Sequence, residues 1–136
     1  MGHARAGEAV EGFKRYAEAF ARLDARAIVS FYNEPALLIS QQGIVALSTG
    51  AEVERFFGRL MAELRVEGYA KSEFPQLSEH SLSSDLSVVS GVGVWRKANG
   101  EEMRRFGLTY TLCRALPSWK IVVAAVHDPD AALPLT

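Results

Sequence analysis

The sequence is poor in the features that most directly mark a function. One cysteine, Cys113, leaves no partner for an internal disulfide. Three histidines, His3, His80 and His127, are the only imidazoles, and none has the spacing of a zinc helix or a Cys/His cluster. Asp128-Pro129-Asp130 is too short for a calcium loop, and no glycine-rich loop follows a strand, since Gly91, Gly93 and Gly107 fall inside predicted strands. No metal and no cofactor is therefore expected. An excess of one charge is also missing: 15 Lys and Arg against 16 Asp and Glu give a net charge of −1, without the positive field that condenses a protein onto nucleic acid or an anionic membrane. The densest apolar stretch, residues 121–126, is far shorter than the ~20 residues that span a bilayer, and the opening MGHARAG lacks the apolar run of a signal peptide. The expectation is a cytoplasmic protein with neither nucleic-acid nor membrane partners.

What is present is a chain of 136 residues, 49% hydrophobic and 23% charged. That suits a single domain over 1–136 with an ordered core of about 8–130, and a chain of this size buries roughly two-thirds of its unfolded surface. Phe13, Tyr16, Ala17, Phe20 and Leu23 recur at helical steps, so residues 8–23 read as an amphipathic helix. Asp24 caps a second helix carrying Ile28, Phe31 and Tyr32, which Pro35 should end. Two short strands around Gln41-Gln42-Gly43 follow, and then Thr49 and Glu52 have the spacing of a capping box ahead of Val53, Phe56, Phe57, Leu60, Met61 and Leu64. A third helix should run to Gly68. Beyond it the period changes to that of strands at about 69–82, 86–96, 103–114 and 119–127. Pro75 marks an edge or bulge, Asn99-Gly100 a hairpin and Leu116-Pro117-Ser118 the last turn. The sum is an α+β domain, cone-shaped, with three N-terminal helices on one face of a curved antiparallel sheet.

Alternate strand residues point to opposite faces. Arg105, Thr111 and Cys113, with Ala125, His127 and, on the neighbouring strand, Trp95, form a face of mostly small residues. Leu108, Tyr110 and Leu112, with Val122 and Val126, form an apolar one. If the helices cover the small face, space remains between the layers for a ligand, and the apolar face seeks a second copy in a two-fold homodimer. The competing expectation is that the helix aromatics fill that space and leave a dimerisation module with a closed core.

Residues 13–40, with Asp24-Ala25-Arg26-Ala27-Ile28-Val29 opening the second helix and Phe31-Tyr32-Asn33-Glu34-Pro35-Ala36 leading into a strand, resemble the nuclear transport factor 2-like superfamily, as does the closing Val126-His127-Asp128. The resemblance spans about 8–130 and implies a cone with a cavity between helices and sheet, in a superfamily that includes ketosteroid isomerases, SnoaL-like polyketide cyclases and dehydratases. Its isomerases place an oxyanion-donating tyrosine on the first helix, matched by Tyr16. Their carboxylate base falls on Ser40 and their second oxyanion donor on Thr111, so the resemblance does not extend to the acid–base pair, and ketosteroid isomerase activity is not expected. The resulting expectation is a cavity that binds a largely apolar small molecule through Tyr16, Phe20, Tyr32, Ser40, Trp95, Arg105, Thr111, Cys113, Ala125 and His127. A cyclase-, isomerase- or dehydratase-like enzyme with His127 as base and Tyr16 as oxyanion donor is the alternative, set against a strand-end histidine bound to backbone.

Overall fold

In the computed structural model, which describes residues 7–115 and 118–133, α1 (Glu8–Ala21) and α2 (Ala25–Ile28) lead through a 3-10 turn at Val29–Phe31 into the hairpin of β1 (Tyr32–Ser40) and β2 (Gly43–Leu47). Then come α3 (Gly50–Glu67) and the strands β3 (Tyr69–Ser83), β4 (Leu86–Lys97), β5 (Glu102–Ala115) and β6 (Ser118–His127). The strands form one sheet in the order β2-β1-β6-β5-β4-β3. Strands β3 to β6 are antiparallel neighbours, as hairpin-length turns require. β1 instead runs parallel to β6. The sheet is therefore mixed rather than antiparallel throughout, because β1 and β6 both start from the closed end of the cone, where Tyr32 pairs with Ile121.

Local chemistry explains most boundaries. The Asp24 carboxylate accepts from the Arg26 N–H at 3.1 Å. Thr49 and Glu52 complete a capping box at α3, whose far end turns at Gly68 with φ 94°. Gly100, at φ 91°, makes the hairpin turn, where the Glu101 N–H donates to Asn99 Oδ1 at 2.9 Å. Pro75 lies on edge strand β3 at a register shift between Glu73 and Gln76. The second helix stops well short of Pro35. That proline stands inside β1, in the irregular stretch between Tyr32 and Leu37 where β6 asks for no donor. At α1 the N-cap is Gly7, which has no side chain to give. Glu79, reaching in from β3, accepts from the Val10 N–H at 2.9 Å and from the Ser87 hydroxyl at 3.1 Å. His3, the Leu116-Pro117 part of the last turn and the final three residues of the tail lie outside the described residues. Among those described, no helix is long and apolar enough to cross a membrane.

The two faces of the sheet are reversed relative to the sequence expectation. Phe106, Leu108, Tyr110 and Leu112 are the buried hydrophobic residues of β5 and belong, with Ala124, to the core beneath the helices. Thr109, Thr111 and Cys113, aligned with Ala125, Val123 and Lys120, therefore lie on the opposite face. The physical reason is area: the helix stripe of Phe13, Tyr16, Phe20, Phe57 and Met61 gains more by covering large apolar side chains than small polar ones. A bulge then interrupts the alternation of β6. Thr111 pairs with Val123 but Leu112 pairs with Ile121, so Val122 is the extra residue, and Ile121 and Trp119 turn into the core beside Leu112. Leu108, Tyr110 and Leu112, expected at a dimer surface, are thus core, and Val126 packs against it. Only Val122 of that set stands outside the core cluster.

Candidate functional site

Between the helices and the inner face lies a cavity of about 220 Å³. The helix aromatics do not close it, because α1, α3 and the curled sheet hold their rings edge to face around the space. Phe13 meets Tyr110 at 5.2 Å and 89°, Tyr16 meets Tyr32 at 5.5 Å and 84°, and Phe106 meets Trp95 at 5.2 Å and 65°. Trp95 stacks on Phe20, 5.9 Å away at 17°. Exposed Ser40, Gln42, Gly43 and Val45 from the first hairpin and Arg104 from β5 mark the mouth.

Three phenols sit on the buried side. The hydroxyls of Tyr16 and Tyr32 are 2.8 Å apart, and that of Tyr110 bears on Tyr16. Burial is the main cause that pushes all three well above the usual phenol range, Tyr110 to about 12, so each is a neutral donor at physiological pH. The Tyr16–Tyr32 pair spends one of its two hydroxyl protons on the bond between them. One O–H is left for whatever enters the cavity. No carboxylate and no imidazole lines the space among the described residues; Arg104 is its one charged side chain.

Of the residues singled out from sequence, Tyr16, Phe20, Tyr32, Ser40 and Trp95 line the cavity. Ser40 is at the mouth, its hydroxyl accepting from the Gln42 N–H at 3.2 Å. Arg105, Thr111, Cys113, Ala125 and His127 are not among the lining residues, because they stand on the far face of the sheet. His127 is fully engaged there. Its Nδ1–H donates to the Asp128 carbonyl at 2.8 Å, and its Nε2 is hydrogen-bonded with the Thr109 hydroxyl at 2.7 Å. Thr109 in turn contacts Ser90 at 3.0 Å, and Ser90 accepts from the Leu133 N–H at 3.0 Å. His127 and Tyr16 therefore do not share a site, and the acid–base pair read from the sequence is not formed. Arg105 is paired with Glu102 at 3.0 Å. Sequence reasoning missed Phe74, Phe106, Tyr110 and Arg104, three of which are strand neighbours of residues assigned to the wrong face; the helix stripe, which needs a large apolar partner, was the signal available.

The same fold occurs in solved structures of low sequence similarity. An NTF2-like protein with a cystatin-like fold from Novosphingobium aromaticivorans superposes with a TM-score of 0.73 at 19% identity, over 91% of this chain and 81% of that one. An NTF2-like protein of unknown function from Shewanella oneidensis gives 0.71 at 20%, over 89% and 97%. Aln2 from a Streptomyces species gives 0.72 at 15%, over 90% and 89%. No curated protein sequence matches the chain. Residues 7–129 match the family described as NTF2-like protein (DUF6841), and with nearly the whole chain inside that match the protein belongs to this NTF2-like family.

Proposed function

We propose that this chain is a small-molecule-binding domain whose cavity takes a largely apolar, ring-containing ligand with an acceptor oxygen on the tyrosine cluster. The observation that carries this reading is the Tyr16–Tyr32 hydroxyl pair, 2.8 Å apart, among the residues of an aromatic-lined space. Binding suits the site better than carbon-acid chemistry, since no side chain that lines the cavity can serve as a base at neutral pH. 2-Acetylnaphthalene, a flat ketone, is the probe. It is expected to raise the melting temperature in proportion to its concentration, and Tyr16→Phe to weaken it about tenfold, the worth of one buried hydrogen bond of ~1.4 kcal/mol. Absence of any shift with the wild-type protein would overturn the reading.

Self-association, if through the sheet, moves to the other face. Val88, Thr111 and Val123 are half-buried in the single chain and lie on the side away from the helices. We propose that a second copy seats on them. Sedimentation velocity should show a dimer that Thr111→Arg converts to monomer, whereas a wild-type monomer would remove the proposal.

A further inference from the structure

At the end of the sheet where β3 begins, β4 ends and β5 begins, the charges do not balance: Lys71, Arg96, Lys97, Arg104 and Arg105 stand with only three carboxylates, Glu73, Glu101 and Glu102. Each carboxylate is already taken: Glu73 by Arg96 at 2.7 Å and Lys71 at 3.3 Å, Glu101 by Lys97 at 3.9 Å, Glu102 by Arg105 at 3.0 Å. Arg104 has no ion pair among the described residues, and it is the cation of this group that lines the cavity. Its guanidinium lies over the Trp95 ring, 5.9 Å from the centroid, on the Trp95–Phe20 stack. An arginine held over an aromatic ring, with no carboxylate on it, keeps its N–H fork free for a planar, two-oxygen anion.

We infer that the ligand is a planar aromatic carboxylate, its anionic end gripped by Arg104 at the mouth and its opposite end bearing the oxygen that meets the tyrosines, which presupposes that the cavity binds small molecules as proposed above. The two polar ends are well separated. Tyr110 and Arg104 are six residues apart on β5, about 20 Å of strand, and both side chains reach into the space, leaving between them the length of a molecule of two rings. The wall between them is apolar and largely aromatic, with Phe20, Trp95, Phe106 and Leu108. Charge on the ligand is thus wanted at one end only. A carboxylate pushed to the tyrosine end would lose its hydration for one or two hydrogen bonds, whereas at Arg104 it stays at the water boundary with a countercharge.

A matched pair tests this: 6-acetyl-2-naphthoate and the uncharged 6-acetyl-2-naphthamide, titrated calorimetrically into the wild-type protein and into Arg104→Gln and Arg104→Lys. The acid is expected to bind at least tenfold more tightly than the amide to the wild type, with the preference shrinking as salt is raised. Arg104→Gln should bring the two within about twofold, chiefly by weakening the acid, and Arg104→Lys should keep part of the preference. Equal affinities in the wild type, or a preference that survives Arg104→Gln, would overturn the inference while leaving the cavity reading intact. Binding of 2-acetylnaphthalene without either extended compound would overturn it as well. If none of the three binds, both readings fall together.

Discussion

Gly91→Ala is expected to lower the melting temperature by about 10 °C, from a loss of ~3 kcal/mol at a few degrees per kcal/mol for a domain of this size. A Cβ at Gly91 would lie 2.0 Å from the carbonyl oxygen of Gln76, 2.8 Å from its carbon and 3.0 Å from Cα of Leu77. All three are backbone atoms of β3, so no rotamer change relieves the overlap. The register shift beside Pro75 swings that carbonyl across the inner side of β4, and only a residue without a side chain lies beneath it. Gly93 is the control. There the added atom meets the tip of the Phe106 ring at 2.5 Å, and a ring bordering a cavity has space to turn. Thermal unfolding of the two variants should separate them, with Gly93→Ala the milder. A Gly91→Ala protein melting within about 2 °C of wild type would show that the carbonyl does not cover the glycine.

Leu108→Ala should cost about 3 kcal/mol in urea unfolding, and Thr111→Ala less than about 1. Leu108 is 1% exposed in the centre of the inner face; Thr111 is half-buried on the other. The pair reads directly which side of β5 the helices cover. The opposite order, a tolerant Leu108 and a critical Thr111, would restore the orientation suggested by the small residues and put His127 back into the cavity.

Much of the scaffold is legible residue by residue. Asp24, the Thr49–Glu52 box, Asn99-Gly100 and Pro75 each act within a few positions of themselves, and each does what its local chemistry demands. The helix side of the site is legible for a related reason: Tyr16 and Phe20 lie on a stripe that can only face the core. A strand has no such asymmetry. Alternation separates Tyr110 from Thr111 and Arg104 from Arg105, but does not say which set lies beneath the helices, so one choice of sign moved five of the ten expected lining residues to the far face. Small residues were taken as the source of empty space. The space comes instead from large rings meeting edge to face, a property of their arrangement that no single position records. The bulge at Val122 is also silent in the sequence, since neither glycine nor proline marks it.

The carboxylate that completes the start of α1 comes from Glu79, 69 residues further along the chain. α1 is synthesised long before that group exists, and Gly7 offers nothing in its place. The first wall of the cone is thus finished by nearly the last residues of β3, so the helix waits with its leading N–H groups in water until the strand has curled over it. The cavity is lined from both α1 and Phe74 of β3, so it exists only once these distant segments of the chain have met.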